Sequence, residues 1–190
     1  MRLFDEMPCL ENDRIILKEM TLEDAPALES ISSDPKVYVY LPTFLYEQKY
    51  DDPREVIGRM REECFLTKDS IMLGIFLKDG PSKMAGIAEM YAYDEAKNKA
   101  SVGVRLARKY WHQGIAMEAV RLMKEYLEDM IRIRTITAHI MRHNAPSAGV
   151  VKKLGFENRF AGLWEDWGRE GPVLVDKYVY RNAAHPKHVL

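Results

Sequence analysis

Two periods of apolar residues alternate along this chain, and the points where one replaces the other mark its elements. The run from Arg14 to Met20 reads as a strand. Leu22, Ala25, Leu28 and Ile31 then recur at helical spacing, with Thr21 or Asp24 as the candidate cap and Asp24 favoured because Pro26 in a first turn costs no hydrogen bond. From Val37 to Asp51 the order is irregular and aromatic: Tyr38, Tyr40, Phe44, Tyr46, Tyr50. Asp52-Pro53-Arg54-Glu55 supplies a cap, a first-position proline and a third-position carboxylate, so a second helix is predicted from Pro53 to Phe65. Three strand-like runs follow, Ile71 to Leu77, Met84 to Tyr93 and Ala100 to Leu106, with Asp79-Gly80-Pro81-Ser82 turning the first into the second. An antiparallel meander is the economical pairing. After Gly114 the residues Ile115, Ala119, Leu122, Tyr126 and Met130 form one stripe, opposite Glu118, Arg121, Glu125 and Glu128, as in an amphipathic helix on a sheet. Thr135 to Ile140 reads as a strand and Ala145 to Lys153 as a short helix stopped by Gly155. Phe160 to Trp167 and Val173 to Tyr180 read as a hairpin across Gly168 to Pro172.

The predicted order, β-α-α-β-β-β-α-β-α-β-β, mixes helices and strands in a single α/β (α+β) domain spanning residues 1–190, and no linker-like run divides it. Charge narrows the partners: 28 Lys+Arg against 29 Asp+Glu, both signs interspersed, give no field to hold a polyanion, so neither nucleic acid nor a membrane surface is expected. No apolar run approaches the roughly 18 residues of a membrane span. Asp5, Glu6 and Glu11 interrupt any signal-peptide core, which makes a cytoplasmic location the expectation. Cys9 and Cys64 stand far apart with no second Cys at metal-ligand spacing, so neither a metal nor a disulfide framework is expected.

The most informative stretch is Val104-Arg-Leu-Ala-Arg-Lys-Tyr-Trp-His-Gln-Gly-Ile-Ala116, where a strand passes through a short turn into a helix. The first N–H groups of a helix lack internal partners and sit at its positive end, and Gly114 lets a pyrophosphate approach the main chain. An ordinary helix start would read the same way. Dinucleotide and Gly-Lys-Ser/Thr fingerprints are absent. Upstream, Val102-Gly103-Val104 has the glycine that a bulge or splayed strand edge favours, and a splayed edge frees backbone groups for an extended, amide-bearing ligand such as pantetheine.

Two segments give the chain a family resemblance. Trp111-His-Gln-Gly-Ile-Ala116 resembles the acyl-CoA pyrophosphate loop of the GNAT N-acetyltransferases, and Asn144-Ala-Pro-Ser-Ala-Gly-Val-Val-Lys-Lys-Leu-Gly-Phe156 resembles the Asn-x-x-Ser…Lys-Leu-Gly-Phe signature of their RimJ/RimL-like (ribosomal-protein-alanine acetyltransferase-like) branch. The resemblance implies a GNAT-like acyl-CoA N-acyltransferase fold. Its central sheet is mixed, mostly antiparallel and seven-stranded, flanked by four helices and splayed between its fourth and fifth strands. It implies transfer of acetyl from acetyl-CoA, as co-substrate, to a primary amine, either a small molecule or a protein N-terminus, with a homodimer left open. Trp111, His112, Gln113, Gly114, Ile115 and Ala116 would then hold the pyrophosphate, the main chain of Val104 and Leu106 the pantetheine, and Asn144 its acetyl end.

Catalytic roles follow the same resemblance. The superfamily's Tyr acid falls on Val151, which has no proton to give, and the branch's Ser falls on Ser147, expected to act on the leaving thiolate. Asn144 and Ser147 are equally good helix caps. The Glu base of some relatives falls on Ser101; the branch's alternative, a carboxylate on the penultimate strand, falls on Asp166 counting from Ser147 but on Gly168 counting from Asp176. That leaves Asp166 and Glu165, between Trp164 and Trp167, as candidate bases, a solvated hairpin edge being the plainer alternative. A non-catalytic acyl-CoA-binding module on the same fold is the rival to an enzyme.

Overall fold

The meander and the helices form as patterned, with one extra strand. The computed structural model describes residues 2–79 and 84–182. Strands β1 (Leu10–Glu11) and β2 (Ile15–Lys18) are followed by helices α1 (Ala25–Ser32) and α2 (Pro53–Met60), then by β3 (Ser70–Leu77), β4 (Met84–Asp94) and β5 (Lys99–Leu106). Helix α3 (Ile115–Glu125), β6 (Thr135–Met141), α4 (Ala145–Lys153), β7 (Glu157–Glu165) and β8 (Val173–Arg181) complete the chain. One sheet holds all eight strands in the order β1-β2-β3-β4-β5-β6-β8-β7. The eighth is β1, two residues that carry no readable period; it forms because Asn12 Oδ1 accepts from the N–H groups of Arg14 and Ile15 and closes a tight turn into β2. Of the predicted turn after β3, only Asp79 is described; Gly80 to Ser82 lie outside the described residues.

Three local expectations change. Asp24 does not cap α1: a single 3-10 turn, Leu22–Asp24, precedes it, and the Asp24 carboxylate reaches back to the Thr21 N–H at 2.8 Å. Asp52 does cap α2, accepting from Arg54 N–H at 2.8 Å, and both α2 and α3 run on through π-helical turns at Arg61–Leu66 and Tyr126–Met130. Strand β7 starts earlier than Phe160 and ends at Glu165, with register shifts between Asn158 and Leu163 and a positive φ of 68° at Gly162. Bulges of this kind bend a strand and re-aim its far end.

The period-two alternation of the strands sorts the core into two layers. Ala100, Val102 and Leu106 of β5 and Ile136, Ala138 and Ile140 of β6 face α3 and α4, packing with Ile115, Ala119, Met123 and Val151. On the other face, α1 and α2 bury Leu28, Ile31, Val56 and Met60 against Met72, Phe76 and Ile87. Among the described residues no α helix lies over that second face beyond them, where β4, β5 and β6 present Glu89, Tyr91, Ser101, Gly103 and His139. Among the described residues no helix is long and apolar enough to cross a membrane.

Candidate active site

All neighbouring strands are antiparallel except β5 and β6, which run parallel and pair only over Lys99–Ser101 and Thr135–Thr137. The last pair is clasped by a 2.7 Å hydrogen bond between the buried Ser101 and Thr137 hydroxyls, after which the strands part. The Gly103 expectation is thus half met. The splayed edge is there, but β5 is regular at Gly103, and the irregularity sits on β4 between Tyr91 and Asp94, where Ala92 has φ 51°. Along β5 the Ala107 N–H donates to Ala85 on the β4 side, and the Leu106 carbonyl points the other way. Strand alternation then turns the N–H and C=O of Val104 toward the parted side, free for an extended ligand. Leu106 is less free, because Trp111 Nε1 donates to its carbonyl at 2.9 Å.

Trp111 therefore stitches the turn to the strand end. The chain passes through His112 (φ 59°) and Gly114 (φ 79°) into α3. The first helical bond is Glu118 N–H to Gly114 C=O, which leaves the N–H groups of Ile115, Ala116 and Met117 outside the ladder. Arg14 lies beside them, its Nη2 donating to the Gln113 carbonyl at 3.0 Å, while the Gln113 side chain folds back onto the Lys109 carbonyl. A Cβ on Gly114 would meet nothing within 4 Å except Arg14 Nη1 at 3.4 Å, so the glycine faces open space edged by a cation. These groups fit a pyrophosphate: unsatisfied N–H donors, a positive helix end and a guanidinium. Trp111, His112, Gln113, Gly114, Ile115 and Ala116 do form one continuous turn, but Trp111 and Gln113 spend their side-chain donors within it.

Asn144 and Ser147 come together at the start of α4. Asn144 Oδ1 accepts from the Ser147 N–H at 3.3 Å, so Asn144 is the cap. Among the described residues the Ser147 hydroxyl has no hydrogen-bond partner. The two candidate bases separate. Asp166 is exposed and accepts from the Gly168 N–H at 2.8 Å, a turn-forming contact. Glu165 is half-buried, with Oε1 2.8 Å from His139 Nδ1 and Oε2 accepting from Trp167 Nε1 at 2.9 Å.

A cleft of about 710 Å³ opens on the uncovered sheet face and reaches Val104 of the parted edge; Phe44, Tyr46, Glu89, Tyr91, Arg105, His139 and Trp167 are among its walls. Its far wall, the aromatic segment before α2, is pinned by charge. Arg105 is buried and binds Glu47, itself buried, through both Nε and Nη2, and Glu89 through Nη1 at 2.7 Å. Burial works against the Arg105 charge, but Glu47 and Glu89 outweigh it and raise its pKa. Burial, then the charges of Glu89 and Glu165, push the Tyr91 phenol well above its ordinary range. Sequence reading missed this network and His139. The signal was available for His139: Thr135, Thr137 and His139 form a polar row alternating with Ile136, Ala138 and Ile140.

The GNAT acetyltransferase domain family matches residues 14–157. The chain is 27% identical over 174 residues to the uncharacterized N-acetyltransferase p20 of Bacillus licheniformis, covering 92% of this chain and 95% of that one. It is 24% identical to the uncharacterized N-acetyltransferase YoaA of Bacillus subtilis, covering 92% and 90%. Among solved structures the fold is similar to RimL, a ribosomal L7/L12 alpha-N-protein acetyltransferase in complex with coenzyme A (TM-score 0.77, 17% identity, 94% of this chain and 100% of that one). It is also similar to a GNAT-family acetyltransferase from Bacillus anthracis (TM-score 0.75, 19% identity, 92% and 99%). With the parted strands and the glycine turn between β5 and α3, the family match leads to one conclusion: this chain belongs to the GNAT acetyltransferases.

Proposed function

We propose that the protein transfers acetyl from acetyl-CoA to a primary amine by direct attack in a ternary complex, as a RimJ/RimL-like N-acetyltransferase. The observation that carries this is the parting of β5 from β6 after Ser101 and Thr137, which opens a main-chain edge between a phosphate-suited turn at one end and the cleft at the other. Pantetheine would pair with Val104, and with Leu106 through its remaining N–H. Gly114, Ile115 and Ala116 would take the pyrophosphate through main-chain N–H groups, with Trp111, His112 and Gln113 holding the turn in shape. Asn144 would order the acetyl end of the ligand site by fixing the start of α4. From there Ser147 would donate its unengaged hydroxyl to the sulfur as the C–S bond breaks. Of the two hairpin carboxylates, Glu165 is the one through which the amine would lose its proton, since Asp166 is committed to its own turn. The acceptor is a small amine or a protein N-terminus.

Thermal shift followed by thiol release tests this. Acetyl-CoA at about 100 times its dissociation constant should add roughly 2.7 kcal/mol of stability, while NAD and ATP should add none. A screen of amines should then find acetyl-CoA-dependent release of free thiol. No stabilisation by millimolar acetyl-CoA or CoA would remove the cofactor assignment; stabilisation without turnover on any amine would favour a binding module on the same fold.

A further inference from the structure

Glu165 is not itself a wall of the cleft; the two residues it bonds, His139 and Trp167, are. Both of its oxygens are engaged by those partners. The group presented to the cleft is therefore an imidazole backed by a carboxylate. An ionised carboxylate only accepts, so the Nδ1 of a neutral His139 carries the hydrogen and its Nε2 carries the lone pair. Among the described residues Nε2 has no hydrogen-bond partner. The position is equally specific. His139 lies two residues past Thr137, the last residue of β6 paired with β5, so it stands where the sheet opens and on the face shared by Ser101 and Gly103.

We propose that His139 is the general base of the acetyl transfer, taking the proton of the attacking amine on Nε2, and that Glu165 is a positioning residue that fixes the ring's tautomer and balances the imidazolium. This rests on the transfer activity proposed above. In the step, the amine nitrogen bonds to the acetyl carbon and the C–S bond breaks. Of the two protons that an R–NH3+ acceptor gives up, one passes to Nε2 and on to water in the open cleft, and the other ends on the CoA sulfur. The charged groups that act on the ring are Glu165 from β7, Lys177 opposite it on β8 and Lys99 on β5. Burial lowers its pKa and Glu165 partly restores it, which leaves the ring neutral and able to accept at neutral pH.

The test compares the parent with His139→Ala, His139→Gln and Glu165→Gln, measuring thiol release from about pH 5 to 9 and stabilisation by acetyl-CoA. Both His139 variants should keep the parental acetyl-CoA stabilisation, lose about 10²–10⁴-fold in kcat/KM and lose the acid limb of the profile. Glu165→Gln should lose less and move its acid limb to lower pH, because the charge that holds the imidazole pKa up is gone; a merely structural role would lower the rate without moving the limb. A folded His139 variant that binds acetyl-CoA and retains the parental rate and limb overturns the base while leaving the transfer activity standing. A parent that binds acetyl-CoA but acetylates no amine in a broad panel overturns both. Should neither His139 variant fold, nitrogen NMR of labelled histidine in the parent decides: a protonated Nε2 in the neutral ring overturns the proposal, and a bare Nε2 supports it.

Discussion

Ser147 and Asn144 share one turn of α4 but have different work. Asn144 holds the orphan N–H of Ser147, so Asn144→Ala should cost about 0.5–2 kcal/mol as a lost cap. Ser147 caps nothing with its own side chain, so Ser147→Ala should leave the melting point within about 0.5 kcal/mol of the parent. Its turnover should nevertheless fall by more than its acetyl-CoA affinity, because a group acting on the departing sulfur works mainly in the transition state. Melting curves and steady-state kinetics on the two variants separate these roles; a Ser147→Ala protein with parental kcat would remove the hydroxyl from the chemistry. These two residues were legible in the sequence because cap and hydroxyl lie within three positions of each other. The contacts that shape the cleft were not: Arg105 meets Glu47 across 58 residues and His139 meets Glu165 across 26, and no local pattern announces such a pairing.

At the level of elements, the turn into α3 shows what a left-handed residue does for a helix start. Gly114→Val places a β-branched side chain at φ 79° and in the space between the turn and Arg14. Strain of about 1–3 kcal/mol is expected, too little to unfold most domains, together with loss of CoA binding by calorimetry. A folded variant that binds CoA normally would move the pyrophosphate elsewhere. The π-helical turn after α2 has its own signature. Glu63 on that turn accepts from Lys49 Nζ at 2.5 Å and from the Tyr50 hydroxyl at 2.8 Å, and these bonds hold its carboxyl down to about 2. A depressed carboxyl contributes stability above its ordinary 4.5 and loses it as pH falls toward 2. The melting-point gap between the parent and Glu63→Gln should therefore be present at neutral pH and close over that window; a constant gap would refute the linkage. Helical stripes and strand runs foretold these elements, since each carries several periods. What sequence missed is shorter than a period: the two-residue β1, the 3-10 turn before α1 and the bulges of β7.

Across the whole molecule, the cleft exists because two segments far apart in sequence are tied over the open half of the sheet. Arg169 donates through Nη2 to the carbonyls of Tyr38, Val39 and Leu41, and the Thr43 N–H donates to the Trp167 carbonyl at 2.9 Å, joining the β7–β8 hairpin to the aromatic segment. Beneath them Glu47 fastens this roof to the sheet by charge, through Arg105, with the Tyr38 hydroxyl also bonded to it at 3.0 Å. Removing one partner of a buried ion pair leaves the other uncompensated at a cost of about 3–5 kcal/mol. Glu89 keeps one bond to Arg105, which puts Glu47→Ala toward the lower end of that range. For a chain of this length each kcal/mol lowers the melting point by about 2–4 °C, so a fall of roughly 6–12 °C is expected. Replacing both partners, Glu47→Leu with Arg105→Met, should recover part of it, since apolar side chains fill a buried pair's place without an unpaired charge. The CoA side proposed above uses the main chain of Val104 and Leu106, the α3 turn and the start of α4, whereas the bonds of Glu47 go to the side chains of Arg105, on the other face of β5, and Tyr38. In Glu47→Ala, the KM for the amine should therefore rise while stabilisation by acetyl-CoA keeps its parental size. Equal losses on both sides, or an unchanged melting point, would show that the roof does not depend on this pair.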